Sequence, residues 1–199
     1  MGQIIAAVIG AIIGGFLAAG AGWFLDRKRE EARLSKVRSL LSTGISDDLQ
    51  HSIQLYDRIL EDWERSKVVW FATLIELRES RQTYLNNKDW IVLFDDSQLR
   101  VKLFRYYLKS ADLINTLEYR QRRKYEIENK FNDLIRTLKL QNPTFTHDDA
   151  VRTAVSYMET EDKEYTFLKE SIPEAVNKLP TFKSEAKELL DRVSQLTAK

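Results

Sequence analysis

The N-terminal segment constrains this chain most, because its first 25 residues contain no charged side chain. All 31 Lys and Arg residues and all 30 Asp and Glu residues lie at or after Asp26. A helix of ~22 residues is about 33 Å long, which matches the ~30 Å hydrocarbon core of a bilayer. Residues 1–25 are therefore predicted to form a transmembrane helix.

The residues that follow this segment predict its orientation. Residues 27–38 include six Lys and Arg residues, and positive residues beside a span are retained on the cytoplasmic side. Residues 26–45 are thus predicted to form a juxtamembrane basic helix of a single-pass inner-membrane protein, with its N-terminus outside and its C-terminal domain cytoplasmic. A cleaved signal peptide is the alternative, because residues 19–21 resemble a cleavage site, but residues 1–3 lack the Lys or Arg of such a leader.

Small residues recur along the same N-terminal segment. They form two adjacent rows with a spacing of four residues, namely Ala6, Gly10, Gly14, Ala18 and Gly22 in one row and Ala7, Ala11, Gly15 and Ala19 in the other. Residues four apart stack on one helix face, and small residues let a second helix backbone approach closely in lipid. We therefore expect a homo-oligomer arranged as a closed ring, and any pore in it would be lined by small apolar side chains.

Residues 46–199 are predicted to form an all-helical cytoplasmic domain. Helix breakers are rare there, because Gly44 is the last glycine of the chain and the three prolines are Pro143, Pro173 and Pro180. The predicted fold class is all-α, with one N-terminal transmembrane helix followed by a bundle of long helices. Two of the long helices are expected to run antiparallel.

Local patterns predict where the helices of this bundle begin and end. We expect a bend at residues 42–44, helices from Ser46, over residues 68–85 and from Thr146, and two short helices that begin at residues 171–173 and 181–184. The apolar run at residues 90–94 is compatible with a strand or with a buried helical turn. The helical context favours the turn.

The longest pattern extends over residues 97–140 with heptad-like spacing. Its repeating positions are Leu99, Leu103, Tyr106, Ser110, Leu113, Leu117, Arg120, Lys124, Ile127, Phe131, Leu134 and Leu138. Arg120 and Lys124 thus fall on the face predicted to be buried, where an unpaired cation is very costly. Three explanations remain open. The helix breaks near residues 119–121, or both cations pair with carboxylates such as Glu118, Glu126 or an acidic side chain from another helix, or a cavity there receives an anionic ligand.

Cations interleaved with aromatic rings are suited to bind the phosphates and bases of a nucleotide. The candidate ligand-binding residues are Arg120, Arg123, Lys124, Lys102, Arg105, Lys109, Tyr106 and Tyr119. Many solvated helix faces share this composition. On this hypothesis the partner is an anionic signal of nucleotide or oligonucleotide type.

The composition also excludes several classes of site. The chain has no Cys and two isolated His residues, which argues against disulfides, thiolate metal centres and a histidine metal site. No P-loop, dinucleotide-binding loop, HExxH or GxSxG motif occurs, so we expect no enzyme, no catalytic residues and no cofactor. A net charge of +1 gives no general attraction to duplex nucleic acid.

The arrangement of these segments resembles that of small membrane effectors of bacterial anti-phage systems, such as the Hailong effector and the cyclic-oligoadenylate-responsive membrane proteins of type III CRISPR loci. The resemblance is carried by residues 6–22, residues 27–38 and the helical remainder. It implies a homo-oligomer, with a tetramer favoured, that acts as a membrane channel or membrane-disrupting effector. Its control would come from a nucleotide-type ligand on the cytoplasmic domain. The alternative hypothesis is a membrane-anchored helical scaffold that recruits a protein partner.

Overall fold

Every element in the described part of the chain is a helix. The computed structural model describes the backbone of residues 2–197 and the side chains of residues 22–196. Its elements are α1 (Gly2–Ser66), α2 (Phe71–Glu79), α3 (Gln82–Asn87), the 3₁₀ helix η1 (Lys88–Leu93), α4 (Ser97–Gln141), α5 (His147–Glu161), α6 (Lys163–Val176) and α7 (Leu179–Thr197). The predicted all-α class is confirmed for these residues.

α1 continues without interruption through residues 42–44, so the bend predicted there is wrong. The segment contains no proline, and its glycine serves close packing instead. A Cβ atom placed on Gly44 would lie 2.5 Å from Cγ2 of Thr83 in α3. One turn later, Asp48 accepts hydrogen bonds from Oγ1 of Thr83 at 2.9 Å and from the backbone nitrogen of Tyr84 at 3.3 Å. These contacts hold α3 against the middle of α1.

Residues 71–95 return the chain along α1 in the opposite direction. Nη1 of Arg58 lies 2.9 Å from Oε2 of Glu76, and Arg38 binds Asp95 through two hydrogen bonds of 2.9 and 3.1 Å. The single helix predicted over residues 68–85 is divided into α2 and α3, because the hydroxyl of Ser80 bonds back to the carbonyl of Leu77. The turn predicted at residues 90–94 is helical up to residue 93, as part of η1, and Phe94 follows it in an extended conformation. It is only partly buried, because Trp90 and Val92 are exposed.

α4 runs in the same direction as α1, so the antiparallel pair of long helices that the sequence predicts is formed by α1 and α7 and not by the two longest helices. Three contacts advance together along both helices: Arg38 with Asp95 just before α4, the hydroxyls of Tyr56 and Tyr106 at 3.1 Å, and Lys124 with the carbonyl of Lys67 at 3.5 Å. Because residues 71–95 already supply the antiparallel return, the next long helix must again follow α1.

The last three helices complete the bundle. α5 folds back on the C-terminal part of α4, and its N-cap Thr146 forms a capping box with Asp149, as expected for a helix start. The prediction that a short helix begins at residues 171–173 is wrong, because α6 already begins at Lys163 and contains Pro173. α7 runs antiparallel to α1, with Ser42 bonded to the carbonyl of Val193 at 2.9 Å.

The predicted location in the inner membrane is corrected by the structure. Among the residues whose side chains are described, no helix combines the length and the apolar character that a bilayer span requires. The physical reason is that charged residues recur in α1 from Asp26 onward, so the described part of this helix has no apolar stretch of ~20 residues. The side chains of residues 1–21 lie outside the described part.

The predicted packing residues Ala6, Gly10, Gly14, Gly15 and Ala18 likewise lie outside the residues with described side chains. The last member of that row is described. A Cβ atom added to Gly22 would meet no atom of the described residues within 4 Å, so this glycine faces open space in the described part of the chain.

Candidate functional site

α4 carries the cations that the sequence pattern assigns to a buried face. This helix is continuous, so the break that was one explanation for them, near residues 119–121, does not occur. Its buried row passes through Leu117 and Gln121, the latter 3% exposed, rather than through Arg120. An α-helix has 3.6 residues per turn and drifts against a strict heptad, which moves Arg120 to the flank of the row.

Arg120 connects α4 to α6. Its guanidinium donates a hydrogen bond to the backbone carbonyl of Ser171, and its Cζ atom lies 5.8 Å from the ring centre of Phe167. Both groups attract a cation, the carbonyl through its dipole and the ring through its π face. Arg120 therefore has a structural role in the α4–α6 contact.

Arg123 is bound by carboxylates. Its Nε and Nη2 atoms donate to the two carboxylate oxygens of Glu164 at 2.5 and 2.6 Å, and Nη1 bonds Glu126 within α4. The hydrogen bond with Glu164 is the main cause of a raised pKa of Arg123 and of a lowered pKa of Glu164. An incoming anion would have to displace these carboxylates.

The cations Lys102, Arg105 and Lys109 line a groove of about 240 Å³ between α4 and α7. Two of them are paired, because Lys102 lies 2.5 Å from Glu188 and Lys109 lies 3.0 Å from Glu185. The groove thus contains three cations and two carboxylates, with Arg105 lacking a carboxylate partner in the described chain. Most of its positive charge is neutralised.

The two predicted tyrosines do not join these cations in one site. Tyr106 is buried and bonds Tyr56 through its hydroxyl, although its ring also borders the groove between α4 and α7. Tyr119 is 62% exposed on α4. The predicted ligand-binding set is therefore distributed over several parts of the bundle.

Lys124 lines a different site, an apolar cavity of about 280 Å³ that we call the Trp63 cavity. The end of α1, the middle of α4 and α6 enclose it. Its walls are formed by Trp63, Lys67, Lys124, Ile127, Glu128, Tyr165, Leu168, Lys169, Ile172 and Pro173. Ile127, Leu168 and Ile172 provide aliphatic surface, and the two aromatic rings come from different helices.

Local sequence positions the walls of the Trp63 cavity. α1 ends at Ser66, and Lys67 follows in the left-handed conformation with φ of 53°, its nitrogen bonded to the carbonyl of Trp63 at 3.0 Å. α6 begins where the Asp162 side chain accepts hydrogen bonds from the backbone of Glu164 and Tyr165, each at 3.0 Å. This N-cap fixes where Tyr165 enters the cavity.

Pro173 adds a polar group to the α6 wall. Proline has no backbone N–H, so it cannot donate the helical hydrogen bond to the carbonyl of Lys169 four residues earlier. Pro173 and Lys169 both line the cavity. This backbone carbonyl is therefore without its helical donor beside the cavity wall.

Three lysines and one glutamate give the cavity lining a positive balance. Lys124 lies 3.6 Å from Glu128, and Lys169 lies 2.5 Å from Glu159, whose hydrogen bond raises the pKa of Lys169. Among the residues whose side chains are described, no carboxylate pairs with Lys67, and its Nζ atom lies 5.7 Å from the ring centre of Trp63. An apolar cavity with cations on its lining is chemically suited to a ligand that has an apolar body and an anionic group.

Sequence reasoning found one residue of this cavity, Lys124, and missed its partners. Trp63, Lys67, Tyr165 and Lys169 come from segments about 60 and 40 residues away from Lys124 along the chain, and no local pattern links them. The sequence also does not indicate that Lys67 adopts the left-handed conformation, because the residue that ends a helix in this conformation is usually glycine.

Comparisons with known proteins identify no relative: no family model matches the chain, and neither a curated protein nor a solved structure is similar to it.

Proposed function

We propose that the protein is a helical ligand-binding module that takes a small amphipathic anion into the Trp63 cavity. One observation carries the proposal: Trp63 and Tyr165 border an aliphatic cavity whose lining also contains Lys67, Lys124 and Lys169. In this arrangement the rings and aliphatic side chains would contact the body of the ligand, and the ammonium groups would contact its charge.

The size of the cavity limits the ligand. Its volume of about 280 Å³ lies just below the usual range of ligand pockets, roughly 300–1,000 Å³. A mononucleotide, an aryl phosphate or a short acyl carboxylate matches that size. A longer oligonucleotide could insert one base beside Trp63 while its other residues remained outside, and stacking of a base on an aromatic ring contributes about 1–3 kcal/mol.

The proposal keeps the anionic, nucleotide-type ligand of the sequence analysis and leaves out the membrane channel, since no described helix could span a bilayer. Binding would act on the bundle by mass action, because a ligand that binds the folded state alone stabilises it. It would also connect α1, α4 and α6 through one molecule.

Fluorescence titration of the full chain tests this function. The probes are AMP, cyclic AMP, cyclic oligoadenylates, phenyl phosphate and octanoate, with inorganic phosphate as the anion without an apolar body. We expect saturable quenching by at least one organic anion and none by inorganic phosphate. Because the chain has four tryptophans, the Trp63→Phe variant must lose this quenching.

A pair of charge variants distinguishes binding in the cavity from general electrostatic attraction of the anion to the protein. Lys124→Met removes a cation from the cavity lining, whereas Lys139→Met removes an exposed cation in the last turn of α4. We expect the first variant to weaken binding of the organic anion at least tenfold and the second to leave it unchanged. Equal effects of both variants, or no saturable binding by any organic probe, would contradict the proposed function.

The second candidate is a scaffold that recruits a protein partner, and one surface of α4 favours it. Val101, Phe104 and Leu108 stand at i, i+3 and i+7 and are 44%, 57% and 60% exposed. An exposed apolar row of this kind is characteristic of helix docking. If no organic anion binds, and the Phe104→Glu variant abolishes a chemically cross-linked complex that the unmodified chain forms, the scaffold becomes the better description.

A further inference from the structure

α4 presents a row of apolar side chains that the other helices of the described bundle leave exposed. Val101, Phe104 and Leu108 lie on successive turns, and the half-buried Ala111 continues the row. Their alternating spacing of three and four residues places all four on one face of the helix. They therefore occupy the a and d positions of a short heptad pattern, through which a second helix can pack.

One flank of this apolar row carries two charges of opposite sign. Arg105 and Asp112 are seven residues apart, so both occupy the e position, directly beside the row. Both side chains are exposed. Neither forms an ion pair with any residue whose side chain is described. The two charges are thus available to a partner.

The lysines beside Arg105 are not available in the same way. Lys102 and Lys109 bind Glu188 and Glu185 across the groove to α7. Arg105 stands between the two lysines in α4 and borders the same groove, yet no described carboxylate pairs with it. The intramolecular pairs hold the lysines toward α7 and leave one cation beside the apolar row.

These charges favour one relative orientation of two copies of the face. In a parallel pair of helices, e positions face g positions of the second helix, which would place Arg105 opposite Arg100. In an antiparallel pair, e positions face e positions, so Arg105 can lie opposite Asp112 of the second copy. A two-fold axis repeats each contact, and the antiparallel pair therefore forms this ion pair twice.

The same register brings the apolar side chains together. Leu108 is midway between positions 105 and 112, so it packs beside the two-fold axis against Leu108 of the second copy. Phe104 then faces the small side chain of Ala111, which leaves room for the aromatic ring. The face is therefore complementary to itself both in its charges and in its apolar side chains.

We propose that two copies of this chain associate through antiparallel packing of their α4 rows, with ion pairs between Arg105 and Asp112 on both sides of Leu108. The scaffold hypothesis assigns the same row to a different protein, but a self-complementary face needs no other partner. The interface is independent of the proposed ligand site, because the α4 residues of the Trp63 cavity begin at Lys124. It also uses none of the small residues of the N-terminal segment.

Cysteine cross-linking of the full chain under mild oxidation tests the register, because the chain has no Cys of its own. Leu108→Cys places the two sulfur atoms beside the two-fold axis, where the ~4.4–6.8 Å between Cα atoms that a disulfide requires can be met. Tyr119→Cys is the matched control, since Tyr119 is as exposed as Leu108 on α4. In the antiparallel register the two copies of position 119 lie about 30 Å apart along the helices.

We expect a disulfide-linked dimer from Leu108→Cys and none from Tyr119→Cys. No dimer from Leu108→Cys, or equal cross-linking at both positions, would overturn the proposal. A parallel pair, in particular, would cross-link at both.

Reversal of the two charges tests the ion pairs in the Leu108→Cys background. Arg105→Asp and Asp112→Arg each place like charges opposite one another at both pairs, so each should lower the cross-linking yield at least tenfold. The double variant restores opposite charges and should recover most of the yield. Lys139→Asp, in the last turn of α4, is the control and should leave the yield unchanged. A double variant that cross-links as poorly as the single variants would also overturn the proposal.

Discussion

The Nζ atom of Lys124 lies 3.5 Å from the backbone carbonyl oxygen of Lys67, so the middle of α4 contacts the chain directly after α1 ends. A lysine near a helix C-terminus can bind the carbonyls that have no helical partner. Both residues also line the Trp63 cavity. The end of α1 is therefore a place where stability and ligand binding depend on the same side chains.

The left-handed conformation of Lys67 predicts that Lys67→Gly stabilises the protein. An L-residue in this conformation costs roughly 1–2 kcal/mol, and the greater freedom of glycine in the unfolded chain offsets part of the gain. We expect the free energy of unfolding to rise by about 0.5–1 kcal/mol in urea titrations. The same variant should weaken anion binding, because it removes a cation from the cavity. Lys67→Ala is the control: it retains a Cβ atom and should bring no stabilisation.

Arg120 and Lys124 should respond differently to replacement by methionine. Arg120→Met removes the hydrogen bond to Ser171 and the contact with the ring of Phe167. A hydrogen bond from a charged group contributes about 1.5–3 kcal/mol to stability. We expect it to lower the free energy of unfolding by about 1–3 kcal/mol. Lys124→Met should cost less than about 1 kcal/mol, because its ion pair is partly exposed, yet it should weaken ligand binding. Arg122→Met, at an exposed position of α4, should change neither quantity. A destabilisation by Lys124→Met larger than that by Arg120→Met would reverse these roles.

Close packing at Gly44 predicts that Gly44→Ala is destabilising despite the higher helix propensity of alanine. The new Cβ atom would lie 2.5 Å from Cγ2 of Thr83, and overpacking of this kind costs about 1–3 kcal/mol. Thr83→Ser removes that methyl group and keeps the hydroxyl that binds Asp48, so the double variant should recover most of the loss. Gly22→Ala, whose new Cβ atom meets none of the described residues within 4 Å, should not destabilise. A stable Gly44→Ala single variant would contradict the packing.

The pair of Glu164 with Arg123 predicts a loss of stability in acid. Its hydrogen bonds hold the pKa of Glu164 below the ordinary value of 4.5 in the folded state. A depressed folded pKa contributes stability above the unfolded pKa, and this contribution is lost as pH falls through the folded pKa. We therefore expect Glu164→Gln to melt lower than the unmodified chain at pH 7, with the difference shrinking below about pH 4. Glu161→Gln, without an ion pair in the described chain, should show no such difference. A difference that persists unchanged at pH 3 would exclude the ionised pair as its cause.

Features that depend on neighbouring residues could be predicted from the sequence. The all-helical class follows from the scarcity of glycine and proline, and the length of α4 follows from a hydrophobic repeat that ends at Asn142 and Pro143. The start of α5 was predicted from Thr146 and its acidic neighbours, because a cap forms between residues that are adjacent in the chain. These properties have local causes, so one sequence is sufficient to infer them.

Features that depend on distant contacts were decided by the tertiary structure. The heptad pattern assigned Arg120 to the core, but the 3.6-residue period of a straight helix buries Gln121 instead. α1 and α4 run in the same direction because η1 and its neighbours supply the return, and Gly44 permits close approach rather than a bend.

The proposed ligand site shows the same division. Lys124 could be singled out as a cation that breaks a local pattern, whereas its cavity partners could not. Trp63 and Tyr165 are about 100 residues apart in the chain and become neighbours only when α1 and α6 pack on α4. Burial and pairing of charges are properties of the folded bundle, because they depend on which helices remove water from a side chain.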